Sequence, residues 1–171
     1  VLHRLRAWRR HDAAVSEGPR PELRLSVEAA EEAVEEARAA IEKGKELVVM
    51  IPEDSPLMPD VAQVLQAASE NWTIAVDSLK GAKESAAKVA TASNESVAKD
   101  YALLAKVNAG VALSGAKVVQ IGITYIDAIA NNKVEALDII RTAMQDALAA
   151  SSQVQFNYER VKTLIAEKYS K

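Results

Sequence analysis

Apolar residues recur every three or four positions through most of this chain. This spacing places one residue per turn on a single face of an α-helix. It is clearest in one series: Val61, Leu65, Ala68, Trp72, Ala75, Leu79, Ala82 and Ala86. Comparable series continue on both sides of it. The pattern predicts an all-α fold, an elongated bundle of about four long amphipathic helices packed in the manner of a coiled coil.

Breaker residues place the boundaries of these helices. Residues 1–25 lack a sustained period and include a Gly-Pro cluster, so we expect an irregular leader there. An acidic helix over residues 26–51 would begin at Ser26, a favourable N-cap. Its last residues, 47–51, are apolar enough to form a buried strand instead. Three prolines then predict a linker over residues 52–59, because proline interrupts helical hydrogen bonding.

Residues 60–171 divide into three predicted helices that form an Ala-rich bundle. The run from Ser93 to Ser96 suggests one break, since serine and asparagine side chains compete for backbone groups. Asn131 and Asn132 suggest a second break near residue 130. Asn132 together with Glu135 resembles a capping box that would start the last helix. The segment between the two breaks is apolar on two sides and should be the most buried helix.

Alanine abundance and an aromatic content of only 4% imply a core of small side chains. Small side chains bury little apolar area and so contribute little stability each. Close helix approach at Gly110, Gly115 and Gly122, or self-association, would compensate. We therefore expect a homo-oligomer or a surface-bound state.

The charge pattern argues against nucleic acid as a partner. The net charge is −3, and the one clearly basic stretch is the short leader. That leader is either a solvated tail or a polybasic arm for phosphate or anionic lipid. It lacks the apolar core of a secretory signal. The most apolar stretch, 107–130, contains Lys117 and Asp127, and we expect no transmembrane span.

Residues that could support catalysis are scarce, so we expect a protein that is not an enzyme and has no cofactor. The chain has no cysteine, and both histidines, His3 and His11, lie in the leader. A nucleophile would lack an activating base in the helical body. The cluster Glu31, Glu32, Glu35 and Glu36 lacks the histidine partners of a bundle metal site, so it is interpreted as a solvated face and no metal site is expected. Lys117 could act as a base, but a lysine reaching out of a groove is the simpler interpretation.

Residues 62–165 resemble the phasin family, which coats polyhydroxyalkanoate storage granules in bacteria. The resemblance comes from Ala-rich helices with few aromatics, from Val97-Ala98-Lys99-Asp100-Tyr101-Ala102, and from the hinge Ala128 to Leu137. The Gln-rich continuation Met144 to Ser151 adds to it. The acidic first helix and the proline linker depart from the family pattern. The resemblance implies a non-enzymatic cytoplasmic protein on storage granules, whose helices lay apolar faces on a hydrophobic polymer or lipid surface.

Ten residues on the weakly packed apolar faces are the predicted surface contacts. They are Leu65, Trp72, Leu79, Leu113, Val118, Ile121, Ile126, Leu137, Ile140 and Val154. Trp72 could equally be an ordinary core residue. Two other functions stay open at this point: a membrane-active or pore-forming toxin component, suggested by the glycine-punctuated stretch 107–130, and a structural coiled-coil or filament subunit.

Overall fold

The computed structural model of the chain describes residues 20–170, which form four long α-helices and no strand. Helix α1 spans Arg20–Val49, α2 Met58–Ala90, α3 Glu95–Ala130 and α4 Leu137–Tyr169. A short 3-10 helix, Val134–Ala136, precedes α4. The predicted all-α helical bundle is confirmed. Each helix of 30 to 36 residues is roughly 45 to 54 Å long.

The start of α1 differs from the sequence-based expectation. The helix begins at Arg20, and Pro21 is compatible with it because a first helical turn leaves its N–H groups unpaired. Ser26 is therefore not an N-cap: its hydroxyl donates to the carbonyl of Glu22 at 2.9 Å, inside the helix. Residues 1–19, most of the predicted basic leader, lie outside the described residues.

The proline-rich connection follows the prediction more closely. The helix ends at Val49, and Met50 and Ile51 turn back on the carbonyls of Leu47 and Val48. A strand over residues 47–51 is thus ruled out. Ile51 is 5% exposed and closes the end of the core, and Pro59 lies in the first turn of α2. The break near residue 93 is also present, with the Asn94 side chain accepting from the N–H of Val97.

Helices α1, α2 and α3 supply most of the core, and α4 adds Leu137 to it. The expected division separated residues 26–51 from a three-helix bundle over 60–171, whereas in the structure α1 packs on both α2 and α3. Near the α1–α2 connection the core is aliphatic, with Ile41 and Leu47 against Val61, Ile123 and neighbours. Toward the other end it thins to alanines from all three helices. Of the described helices, α3 has the most buried residues, as predicted.

Glycines of α3 bring the backbones of α2 and α3 close together. A Cβ atom at Gly115 would lie 2.9 Å from the backbone oxygen of Asn71, and one at Gly122 would lie 3.2 Å from a methyl group of Val64. Gly110 is different, because it faces α4 and a Cβ there would meet Val154 at an ordinary 3.6 Å. The predicted close approach of helices is therefore present at Gly115 and Gly122 and not at Gly110.

Candidate interaction surface

Helix α4 lies on the outside of the bundle. Among the long helices that the structure describes, α3 is the one whose backbone comes close to that of α4. Only Leu137, Ala147 and Ser151 of its residues are buried. Apolar stabilisation scales with the area removed from water. Burial therefore stabilises α4 less than it could stabilise a helix of this length.

The outward side of α4 carries large apolar side chains in water. Ile139 is 75% exposed, Phe156 64% and Leu164 56%. A second exposed apolar group lies at the end of the bundle where α1 meets α2 and α3 meets α4; it consists of Val49, Met50 and Val134. Single exposed apolar residues are common on protein surfaces; α4 combines three of them with few buried residues, which makes it the candidate interaction surface.

The ten residues predicted as surface contacts do not form one surface in this conformation. Leu113 is the single exposed member, at 39%. Val118, Ile126 and Leu137 are buried in the bundle, with Ile126 fully inaccessible. The other six are partly buried: Leu65, Trp72, Leu79, Ile121, Ile140 and Val154. Helical periodicity identified the apolar faces, but it does not reveal which faces other helices already cover.

Trp72 lies at the contact between α1 and α2. It packs against the aliphatic core cluster while lining a groove of about 200 Å³ together with Arg38, Ile41 and Lys45. Its indole Nε1 is buried and has no hydrogen-bond partner among the described residues. The packing of Trp72 on the core agrees with the core interpretation, and its role as a surface anchor stays a prediction.

A polar cluster that the sequence analysis missed ties the first turns of α4 to the bundle. The Arg141 guanidinium donates to the hydroxyl of Tyr125 at 3.0 Å, and that hydroxyl donates to Asp60 at 3.3 Å. Arg141 also lies 3.6 Å from the Asp60 carboxylate. The contact with Tyr125 raises the pKa of Arg141 above its usual value. We call this group the upper clasp.

A second polar cluster, which we call the lower clasp, holds the last turn of α4. Lys168 Nζ lies 2.6 Å from Asp100 Oδ2 and 2.8 Å from Ser96 Oγ, and the Tyr169 hydroxyl donates to the same Asp100 oxygen at 2.6 Å. These donors hold the pKa of Asp100 below its usual value of 3.8. The same contacts raise the pKa values of Lys168 and Tyr169. No local sequence pattern links residues 68 positions apart.

The turn between α3 and α4 depends on Asn132. This residue has φ of 56°, and no other non-glycine residue described has a positive φ. The N–H of Lys133 bonds to the carbonyl of Ala128, and that of Asn132 bonds to Ile129. These two bonds form a Schellman motif, which ends a helix with a left-handed residue, most often glycine or asparagine. The predicted capping box at Asn132 and Glu135 is therefore wrong.

The candidate catalytic residues do not converge on a site. Lys117 is exposed on α3. Glu31 pairs with Lys83, and Glu36 accepts from Gln120 at 3.1 Å, so part of the acidic face contacts neighbouring helices. Within residues 20–170 no group of acidic and histidine side chains could hold a metal ion.

Helix α3 is long and apolar enough to cross a bilayer by length and composition alone. Its most apolar 18-residue window has a mean hydropathy of 1.4, and 56% of that window is buried inside the bundle. A core helix of a water-soluble bundle has the same features, so the absence of a span stays a prediction.

Comparison of the chain with protein-family models, with curated proteins and with solved structures gave no match. The resemblance to phasins therefore remains an expectation based on the quoted residues.

Proposed function

We propose that this chain is a non-enzymatic, phasin-like protein that coats a hydrophobic surface, with a polyhydroxyalkanoate granule as the expected surface, and that self-associates there. The observation that supports this proposal is α4 itself. It is a long amphipathic helix that shares a thin seam with α3 and still exposes Ile139, Phe156 and Leu164 to water.

The outward residues of α4 would make the first contact with an apolar surface. Asp146 lies two turns after Ile139 on the same face, so its carboxylate would have to stay at the edge of the contact, because removing a charge from water is unfavourable. Lifting α4 from α3 would then expose Leu137, Ile140 and Val154 from the predicted contact set. In this scheme the buried members contact the surface only after the bundle opens, and the protein acts in the cytoplasm on storage granules.

A triple variant, I139S/F156S/L164S, tests this proposal without disturbing the core. The matched control, T142S/Q153S/T163S, alters three exposed polar residues of the same helix. We expect the triple variant to bind polyhydroxybutyrate particles several-fold more weakly in a sedimentation assay, while the control binds as the unaltered chain does. Equal binding by all three proteins, or no binding by the unaltered chain, would refute the proposal.

A second candidate, a membrane-active component, is favoured by the apolar length of α3 and by the exposed end group Val49, Met50 and Val134. Release of a trapped dye from lipid vesicles, without binding to polymer particles, would support it instead. A stable oligomer by light scattering, with neither response, would favour the structural coiled-coil alternative.

A further inference from the structure

We propose that α4 is exchanged between two copies of this chain through opening of the α3–α4 turn. The α4 helix of one copy then covers α3 of the other. This inference concerns the chain in solution and does not depend on the proposed surface coating.

The core does not need its own α4. Helices α1, α2 and α3 supply all but one of the buried residues of the main clusters; α4 adds Leu137, and its backbone contacts go to α3. The face of α3 that α4 covers is by construction complementary to the α4 helix of any other copy. Exchange of an identical element retains the same contacts and so forms a dimer at low energetic cost.

The turn is the single element that must change. It depends on the left-handed conformation of Asn132 and on the two Schellman hydrogen bonds. Opening the turn releases the left-handed backbone of Asn132, which is unfavourable for a residue that carries a Cβ atom.

Contacts between α3 and α4 are centred on the turn that joins the two helices. In a pair of identical antiparallel helices, contacting residues are equally distant from one central residue. The contacting pairs are Gly110 with Val154, Tyr125 with Arg141, and Asp100 with Lys168. Their midpoints are residues 132, 133 and 134, which lie at the turn. Both clasps re-form between the two copies when the opened turn lets each α4 keep its present face toward α3. One straight helix would not allow this, because Tyr125 and Arg141 would then lie about 160° apart around it.

Cysteine pairing tests the exchange directly, because the chain has no cysteine of its own. The variants G110C and V154C place one thiol each on the two sides of the seam, where a Cβ at residue 110 would lie 3.6 Å from the Val154 side chain. The two single variants are unfolded together, refolded as a mixture and oxidised. Exchange predicts a disulfide between G110C of one copy and V154C of the other, in a species of dimeric mass by light scattering.

A matched control replaces V154C with F156C, which points away from α3 and should not link to G110C.

Two variants without thiols test the turn itself. N132A disfavours the left-handed turn of the closed monomer. It should raise the association constant for dimerisation at least about tenfold, because the dimer replaces two such turns, one in each copy. N132G favours the turn and should lower that constant.

The proposal fails if the mixed single variants do not link while the double variant G110C/V154C closes within one chain. It also fails if a dimer forms without the 110–154 link, because the contact would then lie on another surface. A dimerisation constant that is the same for N132A and N132G would refute the role of the hinge. None of these outcomes depends on whether the chain binds a particle.

Discussion

The glycines of α3 allow a direct test of how its two neighbours are packed. G110A and G115A make the same chemical change in the interior of the same helix. Each gains about 1 kcal/mol of helix propensity, because alanine loses less backbone entropy than glycine on folding. Any difference between the two variants therefore reports the space around the added methyl group.

That space differs sharply in the structure. At Gly115 the new methyl group would lie 2.9 Å from the backbone oxygen of Asn71 and 3.2 Å from the Cβ of Ala75, so the backbone of α2 would have to shift. Overpacking of this kind costs about 1 to 3 kcal/mol. At Gly110 the nearest atom is a Val154 methyl at 3.6 Å, an ordinary contact. We expect G110A to be more stable than the unaltered chain by up to about 1 kcal/mol.

G115A should be less stable than G110A by about 1 to 3 kcal/mol, the overpacking cost itself, because the propensity gain cancels. For a chain of this size that corresponds to a difference in Tm of roughly 2 to 12 °C. Thermal unfolding followed by circular dichroism measures it. G44A should fall between them, because its close neighbour is the far end of the flexible Ile123 side chain. A G115A variant as stable as G110A would refute the proposed close approach of α2 and α3.

The two clasps give further predictions. Y125F removes the hydroxyl that joins Asp60 and Arg141 but keeps the buried ring, so we expect a loss of about 0.5 to 1.5 kcal/mol in urea unfolding; no loss would show that the upper clasp adds nothing. The lower clasp holds the pKa of Asp100 below 3.8 in the folded state, so its stabilisation should be present above that value and decline as the pH falls through the folded pKa. Hydrogen exchange of the α4 amides measures this acid-dependent part of the stability. It should disappear in D100N, whereas E95Q, which alters the nearby local pair of Glu95 with Lys99, should keep it.

The long elements followed from the sequence because their pattern is local. A three-and-four spacing of apolar residues fixes the helical period, and Pro52, Pro56 and Pro59 exclude helix at one point. The start of α1 was missed because Pro21 is a breaker within a helix but is acceptable in a first turn. Local rules identify such a residue but do not choose between its two roles.

The turn at Asn132 shows a second kind of ambiguity. An asparagine followed three residues later by glutamate fits an N-cap of the next helix. The same asparagine also fits the left-handed position after the previous helix, since its short polar side chain tolerates a positive φ. The Schellman hydrogen bonds decide the outcome, and they depend on how α3 ends and not on the residues that follow.

Which apolar face meets which partner is not a local property. Val118 and Ile126 belong to the same apolar periodicity as Leu113, the exposed member of the predicted set, yet they are buried because α3 contacts all the other long helices described. Asp100 and Lys168 likewise meet only because two long helices return antiparallel along each other. Periodicity assigns faces to a helix, and the topology of the bundle assigns partners to those faces.

The two sides of α3 are built from different interactions, and this difference connects the fold to both proposals. Toward α2 the contact consists of backbones brought together by Gly115 and Gly122, which leaves no room for movement in a close-packed interior. Toward α4 it consists of a thin apolar seam with polar clasps near its ends. The ion pair of the upper clasp, between Arg141 and Asp60, is exposed, and exposed ion pairs contribute little net stability. A core that stays closed beside a helix that can detach is what either adsorption on an apolar surface or exchange with a second copy requires.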